Sequence, residues 1–134
     1  MDGKIKVLIV EDDQTLAMSS KMILEQDEAV QVVGIAVGGA QGIKMVERLC
    51  PSLVFIGLNL PDDNGLHIVN LLKGHSPAVH LVMYTRYDYI PFLDGLIEAG
   101  VSGIISKGAS AEQVLRMLHC VMKGDTVLFL PASR

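Results

Sequence analysis

Leu53-Val54-Phe55-Ile56-Gly57-Leu58-Asn59-Leu60-Pro61-Asp62-Asp63-Asn64-Gly65 sets an uninterrupted apolar run against a loop of proline, acids, asparagine and glycine. A short run with no polar residue reads as a strand buried on both faces, and the residues after it are turn formers. Residue 57, at the strand's end, is a glycine with no side chain to offer.

Outward from this stretch, apolar runs alternate with segments of helical period. Strands are expected near residues 5–10, 30–37, 53–58, 79–84 and 102–106. Between them, the first helical segment spans residues 14–28. Ile43, Val46, Leu49 and Cys50 mark one helix face, and Leu66, Val69 and Leu72 another. Phe92, Leu93, Leu96 and Ile97 follow Pro91, which a first helical turn tolerates. Val114, Leu115, Leu118, Val121 and Met122 form the clearest amphipathic face. Gly100 and Gly124 stand where helices should stop. Strict alternation with unbroken apolar strands predicts an α/β fold, a doubly wound parallel sheet of five strands with five helices on its two faces. One domain is expected over residues 1–125, with 126–134 a tail that docks on it or begins a linker.

With 134 residues, half of them apolar and 19% charged, the chain can bury a core. A net charge of −4 without a basic cluster argues against nucleic-acid binding by this domain. No apolar stretch is long enough to span a membrane and no signal-peptide pattern opens the chain, so a cytoplasmic location is expected. Cys50 and Cys120 lie in no metal or redox motif and are expected to be buried thiols.

In such a sheet, sites form at the carboxyl ends of the strands. Glu11-Asp12-Asp13, Gly57, Thr85 and Lys107 all fall there. Adjacent carboxylates attract a hard cation, and a hydroxyl with an ammonium holds phosphoryl oxygens. Asp13 alone reads as a helix N-cap. Lys107 reads as the counter-ion of Glu11 or Asp12.

Val10-Glu11-Asp12, Leu60-Pro61-Asp62-Asp63-Asn64-Gly65, Thr85 and Gly103-Ile104-Ile105-Ser106-Lys107 resemble the receiver domain of two-component response regulators over essentially the whole chain. The resemblance implies a flavodoxin-like fold with strand order 2-1-3-4-5. It implies Asp12 as direct Mg2+ ligand, Glu11 as the outer acid and the Asn59 backbone carbonyl as a further ligand. Thr85 and Lys107 become the switch hydroxyl and ammonium. The implied partners are a histidine kinase or phosphotransfer protein, an output domain on this chain or a separate one, and a second copy through the fourth helix, fifth strand and fifth helix, near Tyr87 and Tyr89.

The departures from that family carry as much information. Its phosphoacceptor aspartate aligns with Gly57, which cannot form an aspartyl phosphate and leaves Mg2+ binding weakened, with no cofactor expected. Ile104 stands where the family usually has an aromatic switch residue, and an isoleucine is stiff at its first torsion and suits a permanent core position. Gly108 stands where many members have proline. Asp62 and Asp63 read as solvent-facing turn residues rather than substitutes for the missing acid.

The leading expectation is a non-enzymatic receiver-type module that is not phosphorylated at the usual site and acts through protein contacts. One alternative is an ordinary receiver carrying an incidental or engineered Asp-to-Gly change at 57. Another is a small-molecule sensor using a hollow above Gly57. Glu11-Asp12-Asp13-Gln14-Thr15 is also similar to the acidic loop of haloacid dehalogenase-like phosphatases, but that chemistry needs aspartate first and a longer chain. His67, His75, His80 and His119 are scattered and form no triad with a serine or cysteine.

Overall fold

The computed structural model describes residues 3–57, 59–60, 63–85 and 90–128, with the backbone alone at 59, 60, 63, 64 and 90. In chain order the elements are β1 (Ile5–Val10), α1 (Gln14–Leu24), β2 (Val30–Ala36), α2 (Gly39–Leu49), β3 (Leu53–Ile56), β4 (Asn59–Leu60), β5 (Asp63–Asn64), α3 (Gly65–His75), β6 (His80–Thr85), a 3-10 turn (Ile90–Phe92), α4 (Leu93–Glu98), β7 (Gly103–Ser106), α5 (Ala111–Met122) and β8 (Val127–Leu128).

Six strands form one parallel sheet in the order β2-β1-β3-β6-β7-β8. Its first five members are the expected strands in the expected order. The sixth corrects the expectation of five. Val127 and Leu128 pair with Gly103 and Ile104, so this part of the tail docks on the domain. A second departure is the small antiparallel pair β4–β5, which closes the loop after β3. The chain reverses direction across the sheet between β1 and β3, which is the switch point where such sheets form their sites.

Burial on both faces explains the apolar strands. On one face Val7, Ile9, Phe55 and Ile105 pack under α1 and α5, against Ala17, Leu24, Val114, Met117, Leu118 and Val121. On the other face Leu8, Val10, Val54, Ile56, Met83 and Ile104 pack under α2, α3 and α4, against Val46, Ile68, Val69, Leu72 and Leu96. Burial of each such side chain stabilises by about 1.5–3 kcal/mol, which makes these two clusters the main source of stability.

Helix boundaries follow local hydrogen bonding. Asp13 accepts from the Leu16 N–H at 3.1 Å and starts α1 as its N-cap. Ser110 and Gln113 form a reciprocal capping box at the start of α5. Gly100 and Gly124 take positive φ, +98° and +101°, just past α4 and α5. The first helix ends at Leu24, four residues short of the expected end at 28. Asp27 draws the chain away, its carboxylate accepting from the Ala29 N–H at 2.8 Å. Cys50 is exposed, against expectation, because it is the left-handed C-cap of α2 with φ 48°. Cys120 is half-buried.

Candidate functional site

The carboxyl ends of four neighbouring strands set the positions of the site. Three of the strand pairings, β1–β2, β1–β3 and β6–β7, continue for one backbone hydrogen bond beyond the strand. The Glu11 N–H donates to the Ala36 carbonyl at 2.9 Å, Gly57 to Val10 at 2.9 Å, and Lys107 to Thr85 at 2.8 Å. Glu11, Gly57, Thr85 and Lys107 are therefore fixed relative to one another by the sheet, and their side chains start from one rigid edge.

At its centre is an ion pair. Lys107 Nζ lies 2.8 Å from Glu11 Oε1, with the two side chains only 14% and 8% exposed. The other carboxylate oxygen, Oε2, accepts from the Asp13 N–H at 3.2 Å. Glu11 thus has both oxygens engaged. Lys107 Nζ also lies 5.8 Å from the centre of the Tyr84 ring, which stacks against Phe55 at 4.7 Å. This is cation–π range. Burial raises the pKa of the Tyr84 phenol above its ordinary value.

Gly57 explains how Glu11 comes to lie there. A Cβ at residue 57 would stand 3.0 Å from Glu11 Oε1, 3.4 Å from its Cδ and 3.5 Å from Oε2. The Glu11 carboxylate thus lies against the position that a side chain on residue 57 would occupy. The hollow expected above Gly57 is bordered at contact distance by Glu11. An open cavity of about 800 Å3 lies near the opposite, amino edge of the sheet, beside Ser52, His75 and His80. There Lys73 Nζ donates to the carbonyls of Pro77 and Val79 at 3.1 and 2.8 Å. Burial lowers the Lys73 pKa, and burial with the Lys73 charge lowers that of His80.

The remaining positions divide. Thr85 is buried, opposite Ser106 in the sheet and one residue from Lys107. Ile104 is completely buried, packed in the core beneath α2, α3 and α4. Asp12 is exposed. Asn59 takes part in the β4–β5 pair through its backbone. Asp62, Tyr87 and Tyr89 lie outside the described residues. Sequence reasoning missed Tyr84, whose only signal was an aromatic residue next to Thr85. It also missed the contact between His119 Nε2 and Asp27 Oδ2, at 2.5 Å, which ties α5 to the turn after α1.

Among the described residues at this edge, the Glu11 carboxylate is held by an ammonium and a backbone N–H, position 57 offers no side-chain ligand, and Asp12 is exposed. Among the described residues no three His, Cys, Asp or Glu side chains are grouped to hold a metal ion.

Residues 7–119 match the response regulator receiver domain family. This chain belongs to that family. The receiver is 29% identical over 122 residues to the nitrate/nitrite response regulator protein NarL of Escherichia coli K12, covering 91% of this chain and 56% of NarL. It is 31% identical over 121 residues to the response regulator GacA of Pseudomonas aeruginosa, covering 90% and 56%. The chain thus spans little more than half the length of these relatives. Among solved structures it superposes on a LuxR-family two-component response regulator from an Aurantimonas species with a TM-score of 0.88, at 18% identity over 92% of this chain and 89% of that one. The isolated REC domain of RcsB from Salmonella enterica serovar Typhimurium gives 0.85, at 23% identity over 96% and 94%. These likenesses establish the fold. No helix among the described residues is long and apolar enough to cross a membrane.

Proposed function

We propose that this receiver signals without an aspartyl phosphate at residue 57, through contact with other proteins. The observation that carries the reading is the Glu11 carboxylate, which lies 3.0 Å from the point where a Cβ on residue 57 would begin and pairs with Lys107. An aspartate there would supply both the phosphoryl acceptor and an acid for Lys107. Here Glu11 supplies the acid, and residue 57 supplies no acceptor. With Ile104 locked in the core, the aromatic rotation that the family resemblance implies is not available at position 104. The domain performs no catalysis, binds Mg2+ weakly and works in the cytoplasm. Its partners are a histidine kinase or phosphotransfer protein and an output domain, on this chain or apart from it.

The second reading, an ordinary receiver with an incidental change at 57, is favoured by one observation: Thr85 and Lys107 still stand at adjoining strand ends. Intact-mass measurement after incubation with acetyl phosphate and Mg2+ tests both. The unmodified chain is expected to gain no hydroxylamine-sensitive phosphoryl group. Gly57→Asp gains one if the second reading describes the remaining machinery, since the contact facing the new Cβ is the mobile end of Glu11. A hydroxylamine-sensitive adduct on the unmodified chain overturns the proposal.

A further inference from the structure

The family match ends at residue 119, and β8 lies beyond it. This strand covers the outer edge of β7, the strand that resemblance had placed at the centre of a contact between copies. It becomes the new end of the sheet, and among the described residues no strand lies outside it. The opposite end is differently made. There β2 pairs through an irregularity that skips Val33 between Val32 and Gly34, and such a bulge bends an edge away from further pairing. The β8 edge carries no bulge, charge or proline, and its residues, Leu128 and the β-branched Val127, are both apolar.

The direction of its backbone groups follows from one hydrogen bond. The Val127 N–H donates to the Ser102 carbonyl at 2.9 Å, so it points toward β7. Successive residues of a strand turn their N–H and C=O groups to opposite sides. Those of Leu128 therefore point away from β7, outward. Side chains alternate likewise: Val127 packs on the α1–α5 face and Leu128 on the other. Beside the strand, an opening of about 140 Å3 between α5 and β8, walled by Met117, Cys120 and Val127, adds apolar surface to the edge.

We propose that the β8 edge is a self-association surface. Two copies would join their sheets with β8 antiparallel to β8, the two-fold axis passing between the two Leu128 residues. Only antiparallel pairing is compatible with a closed two-fold dimer, and it lets each Leu128 donate its N–H to the other's carbonyl. A second copy is the partner that fits because the edge, so read, complements itself: one outward donor and one outward acceptor on the same residue. With so short a strand the dimer is weak and concentration-dependent. The inference is independent of what Gly57 does.

Sedimentation equilibrium from low micromolar to millimolar concentration tests it, together with amide hydrogen exchange read by NMR. The unmodified chain is expected to dimerise, with the Leu128 amide gaining protection as concentration rises. The Val127 amide, already bonded to Ser102, should not. Leu128→Pro removes the outward donor, keeps Val127 paired, and should weaken dimerisation by about tenfold or more, the loss of two backbone hydrogen bonds. A chain that stays monomeric throughout, or a dimer indifferent to Leu128→Pro, or a Leu128 amide whose exchange ignores concentration, overturns the proposal. The amide measurement on the unmodified chain decides even if the proline variant disturbs β8.

Discussion

Replacing Lys107 with methionine removes the ammonium and keeps most of the stem, so the test isolates the charge. Glu11 would then be a carboxylate that is 7% exposed, with a single N–H donor, from Asp13, at 3.2 Å. Breaking a fully buried pair costs about 3–5 kcal/mol, because the surviving charge is stranded. Glu11 keeps one hydrogen bond, from the Asp13 N–H, and is not wholly sealed from water. The expected loss is therefore about 2–3 kcal/mol. At this chain length, each kcal/mol shifts the melting temperature by roughly 3–5 °C. In urea the midpoint should fall with the slope unchanged, since no additional surface is exposed. The double variant Glu11→Gln with Lys107→Met leaves no charge behind and should recover more than half of the loss, about 1–2 kcal/mol. If Lys107→Met alone stays within about 0.5 kcal/mol of the parent, Glu11 does not depend on its ammonium. The assignment of Lys107 as the partner that holds Glu11 over Gly57 is then wrong.

Asp27 and Gly103 offer two further tests. The hydrogen bond from His119, helped by the Ala29 N–H, holds the Asp27 carboxyl below its ordinary value of 3.8. A depressed carboxyl contributes stability above its unfolded value and loses it as pH falls through the folded one. The stability gap between parent and Asp27→Asn should therefore be full near neutrality and close in acid, below about pH 4, as read from urea midpoints across pH. Gly103→Ala places a Cβ 3.0 Å from Met117 Sδ and 3.3 Å from Val121 Cγ2 inside the α5 face. Overpacking of this kind should cost about 1–3 kcal/mol, seen as a lower melting temperature.

The strands were legible because a parallel sheet buried on both faces writes itself as unbroken apolar runs. That same logic fails for β8, since two apolar residues in a tail cannot be told from a linker until their partner strand is known. The end of α1 was illegible for a different reason. No glycine or proline marks it, and the break depends on Asp27 bonding its own backbone neighbour. Cys50 looked like a core residue on a helix face, but it falls one position past that helix, where the chain turns left-handed. At the site, the sequence named the residues and their shared edge. It could not show that Glu11 reaches over Gly57, because that depends on distance across two strands. Lys107 illustrates the boundary: its need for an acid was readable, but which acid was a matter of geometry.

The turn at Lys123–Thr126 also determines where the polypeptide is heading. Helices in this fold run opposite to the strands, so α5 finishes at the amino edge of the sheet. If the chain left there, anything joined to it would hang on the side away from Glu11 and Lys107. β8 runs parallel to β7 and turns the backbone round, toward the edge that bears the ion pair. A fluorophore or protein joined just after Leu128 would thus be launched toward that edge, while one joined ahead of Ile5 would sit at the far end. The two attachment points probe opposite poles of the same domain.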